Sequence, residues 1–136
     1  MADDSFDLHE TFVHLGLGSK AVPIPDFEWT PEFLDGYSAR FSDDGDEGRL
    51  VCITPQTASW ETWERHPAGE ELVVCLSGRV DLIQDLDGRR RVVELHPGHA
   101  VVNPANVWHT ADVHEPGDGL FVTPGRGTEH LPRGER

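Results

Sequence analysis

Four side chains able to exchange protons or hold metal ions crowd into one short stretch. Glu64, His66, Glu70 and Glu71 all lie in "WERHPAGEELVVCLSG", which then runs straight into an apolar segment. Imidazole and carboxylate are the groups that move protons near neutral pH and ligate divalent ions. Set at the mouth of an apolar run, they bring that chemistry up against a hydrophobic interior. Far along the chain His109 follows the turn "NPAN" in "VVNPANVWHTADV", with Val107 and Ala111 two residues to either side. A single strand histidine is ordinarily a hydrogen-bonded core residue, so His109 gains meaning only as part of a set.

Short strands are the elements that must position these groups. From Arg49 onward β-branched and aromatic runs recur: "RLVCIT", "ASWETWERH", "ELVVCLS", "RVDLIQD", "RRVVEL", "AVVN", "VWHTADV" and "GLFVT". Turn signals separate them, among them "PAGE", "HPGH", "HEPGDG" and the two-residue hairpin turn Asp87-Gly88. Strands at this cadence predict an all-β antiparallel sandwich or barrel. Side chains alternate along a strand, so Trp60, Thr62, Glu64 and His66 share one face, and Glu71, Val73 and Cys75 share another. Trp60, Thr62, Val73 and Cys75 are therefore the expected pocket walls. Leu72, Val74 and Leu76 make the second face of their strand equally apolar, which predicts burial on both sides. Trp63 and Trp108 have the parity of outer packing or a dimer interface, and His99, His114 and His130 sit in or beside turns, as solvated residues do.

Ahead of the strands, residues 1–48 read as an arm or outer strand and one short helix in "WTPEFLDGYSARFS", packed on the β domain. Thr30 caps that helix, Pro31 suits its first turn, and Glu32 and Asp35 favour its positive end. "SDDGDEG" reads as a solvated acidic turn, because the spacing of a calcium-binding loop is missing. Residues 125–136 form a tail whose "GTEH" is placed to close a barrel mouth.

Composition narrows the function classes. At 136 residues the chain suits one domain with a single core. With 25 Asp+Glu against 11 Lys+Arg and a net charge of -14, it repels nucleic acid and anionic membranes at long range. No stretch approaches the about 18 apolar residues of a membrane span, and the acidic start has no apolar signal core. A cytoplasmic protein is expected. Cys52 and Cys75 sit in apolar runs with no CxxC pairing, which predicts buried reduced thiols.

The joint pattern resembles the cupin superfamily. Its first motif, roughly G(X)5HXH(X)3-4E(X)6G, is matched in its second half by His66, Glu71 and Gly78, and only Glu71, not Glu70, keeps full spacing to Gly78. Its second motif is matched by Gly98, Pro104 and His109. Two positions depart from the family: Glu64 replaces the leading histidine, and the asparagine that closes the second motif is absent.

The resemblance implies a cupin-type antiparallel β-barrel (a double-stranded β-helix or jelly roll) over residues 49–124. It implies a divalent metal, one of Mn, Fe, Ni or Zn, held by His66, Glu71 and His109. Glu64 then stands either as a fourth ligand or as a general base with a pKa raised by the apolar interior. The activities implied are those of a dioxygenase or isomerase acting on a small molecule; a non-catalytic sensory or ligand-binding barrel that has lost its metal is the alternative. Apolar outer faces further predict a homodimer.

Overall fold

The computed structural model describes residues 5–136; of the acidic N-terminus, residues 1–4 lie outside this range. Eleven strands and one α-helix follow in order: β1 (Phe12–Gly16), β2 (Lys20–Ile24), α1 (Pro31–Arg40), β3 (Arg49–Gln56), β4 (Thr62–Arg65), β5 (Glu71–Cys75), β6 (Arg79–Leu86), β7 (Arg89–Leu95), β8 (Ala100–Asn103), β9 (Trp108–Glu115), β10 (Gly117–Thr123) and β11 (Glu129–Pro132). They form two antiparallel sheets. One runs β2-β1-β3-β10-β5-β8 and the other β11-β4-β9-β6-β7. The expected all-β architecture stands, but neither sheet closes on itself, so the barrel is an open pair of facing sheets. Within the first 48 residues β1 pairs with β3 and, with β2, widens the first sheet.

Local chemistry accounts for the elements. The helix begins where Thr30 Oγ1 accepts a 3.2 Å hydrogen bond from Phe33 N, with Pro31 in its first turn. The β6–β7 hairpin turns through Asp87 and Gly88, both at positive φ (54° and 84°), as a two-residue loop matching the strand twist requires. Among the described residues no helix is long and apolar enough to cross a membrane.

Between the sheets lies a core of Phe12, Ile24, Leu50, Cys52, Val73, Cys75, Leu82, Leu95, Val101 and Phe121 among others. Both cysteines are free and buried, as expected. Phe33, Tyr37 and Phe41 of the helix region pack against the open side of this core. A second, smaller cluster joins Trp63, Trp108 and Ile83 on the outer side of the other sheet. There the tail provides the cover: Leu131 of β11 packs on the cluster, while the guanidiniums of Arg65 and Arg136 stack over Trp108 and that of Arg90 over Trp63. The outer parity of the two tryptophans is as expected, and their burial needs no second subunit.

The opposite outer face differs from expectation. Leu72 and Leu76 are 38% and 41% exposed, and Val102, the cross-strand partner of Leu72, is 49% exposed. Strand β5 is therefore buried on one face only, because neither the helix nor the N-terminal strands reach its back.

Candidate metal centre

The two sheets converge on one polar cluster. Glu64 on β4 and His109 on β9 are direct cross-strand partners, and Gln84 on β6 flanks His109 from the other side. Glu71, the first residue of β5, reaches across from the facing sheet, and His66 follows immediately after β4. One ligating atom from each of Glu64, His66, Glu71 and His109 lies within 4.8 Å of all the others. Strand alternation and the two-sheet sandwich thus bring together residues up to 45 positions apart. Glu70 points to solvent and takes no part.

The geometry is that of lone pairs meeting at a point, not of ion pairs meeting each other. His109 Nε2 lies 3.2 Å from Glu71 Oε1 and 3.6 Å from Glu64 Oε1. His66 Nε2 lies 3.3 Å from Glu71 Oε2 and 3.4 Å from Glu64 Oε1. These contacts fall off the hydrogen-bonding direction, and both buried Nε2 atoms are left without a hydrogen-bond partner. Buried polar atoms are rarely abandoned in this way. Ligands about 2.1 Å from one ion on adjacent sites stand about 3 Å apart, close to these separations.

A surrounding shell orients the ligands. His109 Nδ1 faces the Val107 carbonyl at 3.2 Å. A carbonyl only accepts, so Nδ1 carries a proton, and a ring that has lost its second proton turns a lone pair on Nε2 towards the centre. His66 Nδ1 lies 2.8 Å from Thr128 Oγ1. Glu71, only 2% exposed, accepts from Asn103 Nδ2 (3.0 Å) on one oxygen and from Thr123 Oγ1 (2.6 Å) on the other. Gln84 Nε2 in turn donates to Asn103 Oδ1 at 2.9 Å.

Without a metal the four groups compensate one another. Burial opposes ionisation of Glu64 and Glu71, but the His109 and His66 imidazoles outweigh it, holding Glu64 at about 2 and Glu71 well below the usual carboxylate range. Burial likewise opposes protonation of His66 and His109, but the two carboxylates outweigh it and hold both rings at about 9. The raised pKa expected of Glu64 as a general base is therefore not found: apolar walls are present, but two imidazoles stand closer.

Glu64, His66 and Glu71 line a cavity of about 910 Å³ together with Trp60 and Thr62, while His109 is fully buried behind them. Trp60 lies outside β4, anchored by its backbone N to Ala111 O and by Nε1 to Gln56 Oε1 at 2.7 Å. Val73 and Cys75 do not line this cavity. They border a void of about 20 Å³ deeper between the sheets, shared with Trp60 and Phe121. The inward parity expected of them holds, but each two-residue step along β5 moves about 7 Å from the mouth. His99 and His114 are exposed, as expected. His130 differs: although 57% exposed, its Nε2 sits 3.2 Å from Glu64 Oε2, because β11 pairs with β4 and sets His130 opposite Glu64. The "GTEH" segment thus runs from a turn at Gly127 into β11, with Gly127, Thr128 and His130 lining the cavity.

Asn103, Thr123, Thr128 and Gln84 are the residues that sequence reasoning missed. Their types are ordinary, and only Asn103, just before the Pro104 turn, and Thr128, in "GTEH", stood in stretches already singled out for a site.

Residues 49–123 match the sequence model of the family described as Cupin domain. No curated protein matches the chain. Among solved structures, an oxalate decarboxylase of Bacillus subtilis is 18% identical with a TM-score of 0.53, over 71% of this chain and 26% of its own. The hydroquinone 1,2-dioxygenase of Sphingomonas sp. TTNP3, solved with 4-hydroxybenzoate bound, is 12% identical with a TM-score of 0.46, over 55% of this chain and 58% of its own. The hydroxypropylphosphonic acid epoxidase of S. wedmorenis is 13% identical with a TM-score of 0.47, over 55% and 42%. The chain thus spans well under two thirds of the length of each of these proteins.

Proposed function

Since this chain belongs to the cupin domain family, we propose that it binds a small molecule at a divalent ion held by Glu64, His66, Glu71 and His109, and oxygenates or isomerises it. The observation that carries this reading is the pair of buried, partnerless Nε2 atoms of His66 and His109, aimed with two carboxylates at one point beside a large cavity. Two imidazoles and a carboxylate suit Fe, Mn, Ni or Zn, and a second carboxylate shifts the preference towards the harder ions. A bound ion would polarise a substrate oxygen or activate dioxygen.

The chain's own residues divide the remaining work. Asn103 and Thr123 fix both oxygens of Glu71, and Val107 fixes the His109 ring, so these ligands are set before any ion arrives. Glu64, 22% exposed, is the ligand nearest the cavity, with His130 steadying its outer oxygen. Its low pKa favours ligation over the role of base. Trp60 and Thr62 wall the space where the small molecule would sit. One observation favours the alternative of a metal-free binding barrel: two protonated imidazoles balance two carboxylates without an ion.

Elemental analysis of protein purified without chelator or affinity metal separates the two. Near one equivalent of Mn, Fe, Ni or Zn, absent from His109→Ala, supports the metal reading and justifies screening for oxygen uptake. No metal after incubation with each ion would leave a binding barrel. A homodimer belongs to the same proposal, through the exposed Leu72, Leu76 and Val102 face. Light scattering of the wild type against Leu72→Asp tests it: a dimer that becomes monomeric supports it, and a wild-type monomer ends it.

A further inference from the structure

A second titratable cluster stands beside the same cavity, with His14 and Tyr37 in its lining. His14 on β1 and Asp44, in the acidic turn after the helix, are 2% and 3% exposed. His14 Nε2 lies 2.6 Å from Asp44 Oδ2, and His14 Nδ1 lies 2.6 Å from the hydroxyl of Tyr37 on α1. Asp44 Oδ1 also takes Lys20 Nζ at 3.0 Å and the backbone N–H of Leu17 at 3.1 Å. The His14 ring stacks on Phe41 with centroids 3.8 Å apart. His14 and Tyr37 share that lining with Glu64, His66 and Glu71.

The packing is too close to be incidental. A Cβ on Gly16 would fall 2.1 Å from Asp44 Oδ2 and 2.8 Å from His14 Nε2, and one on Gly48 would fall 3.0 Å from the His14 ring. The two glycines let the backbone close around the pair.

Donor and acceptor roles then follow along the chain of bonds. The His14, Lys20 and Leu17 donors hold the Asp44 carboxyl at about 2, so it is ionised and only accepts. His14 Nε2 must donate to it, and in the tautomer that carries this one ring proton Nδ1 is an acceptor. In that tautomer Tyr37 spends its hydrogen on Nδ1. Among the described residues its oxygen has no other partner, and its free lone pairs are left for the cavity. Phe27, Trp29, Leu34, Phe41 and Leu50 supply apolar lining to the same cavity.

We infer that Tyr37, held by His14 and Asp44, is a second polar anchor of the cavity that accepts a hydrogen bond from a hydroxyl or amino group on the bound molecule. The ligand class is then a small molecule with an apolar body and a hydrogen-bond donor. Tyr37 is a specificity-determining residue; His14 and Asp44 position it. The inference rests on the reading of the cavity as a small-molecule site and not on the metal.

The probes are benzoate, phenylacetate and 3-phenylpropionate, each against its 4-hydroxy and 4-amino derivative, with binding measured by calorimetry. In the wild type at least one pair should favour the donor-bearing member by about tenfold, the worth of one buried hydrogen bond. In Tyr37→Phe, which keeps the ring and its packing, that preference should vanish while the parent acid binds as before. A structural role alone would not move the ratio. Equal binding within every pair, no binding of any probe, or a preference that survives Tyr37→Phe would overturn the inference. In His109→Ala both members of a pair should weaken alike and their ratio persist. Metal content of the same samples keeps the two readings apart: a metal-free protein that still prefers the hydroxyl ends the metal reading alone, and a metal-loaded one without preference ends this one alone.

Discussion

The two polar clusters of this cavity are both built around imidazole and carboxylate groups and are opposite in kind. Around His14 every ring nitrogen and carboxylate oxygen meets a partner, and the His14 bonds are both 2.6 Å long. Around His66 and His109 the separations are 3.2 to 3.6 Å, and two buried nitrogens have no hydrogen bond at all. A satisfied network holds its geometry by its own bonds; a convergent and unsatisfied one is shaped for something that sits between its members. The difference is thus one of angle and spacing, not of residue type.

The sharpest way to break the comparison is to remove a nitrogen from each side. His66→Ala or His109→Ala should abolish metal retention, and with it the stabilisation that bound metal gives, about 2.7 kcal/mol at a hundredfold excess over Kd. His14→Ala deletes a buried ring stacked on Phe41 and should cost about 3 kcal/mol in a denaturant melt. Its metal content should stay unchanged. Metal loss in His14→Ala with a folded sandwich would merge the two clusters into one and end the distinction.

Gly16→Ala probes the second cluster by crowding. Its new Cβ collides with Asp44 Oδ2, so a loss of about 2 kcal/mol is expected, again at constant metal stoichiometry. A neutral effect would mean that Asp44 moves aside freely and that the pair is not held.

Proton linkage separates the clusters more gently. In the metal-free protein His66 and His109 are raised from 6.5 to about 9, so they bind protons more tightly folded than unfolded. Their contribution is complete below pH about 6.5 and is lost as pH rises through about 9. Metal must displace those protons, so its affinity should climb with pH across that window, by up to about a hundredfold per unit if both leave. Melts and metal titrations at three pH values check both slopes. The smallest effect belongs to Glu64→Gln: weakened but stoichiometric binding if it is the outermost of four ligands, and unchanged metal content if it serves elsewhere.

Much of the candidate metal centre was legible in the sequence because strand parity is a strict rule. It set Glu64 with His66 and turned Glu71 inward, and the motif spacing then singled out His109. Parity says nothing of depth along a strand, which is why Val73 and Cys75 fell to the core instead of the cavity. It is equally silent on pairing between distant strands, and so the contact of His130 with Glu64 through β11 could not be foreseen. The second cluster escaped for a related reason. Asp44 stands in an acidic turn that reads as solvated, yet it is buried because β1 delivers His14 and β2 delivers Lys20 beside it.

One titration addresses the central claim most directly. Metal-free wild type, His109→Ala and Tyr37→Phe are each titrated with Mn²⁺, Fe²⁺, Ni²⁺ and Zn²⁺, and the stoichiometry is read by calorimetry. The account predicts one equivalent of at least one ion in the wild type and in Tyr37→Phe, and none in His109→Ala. No binding in any of the three, or binding that survives His109→Ala, would contradict it.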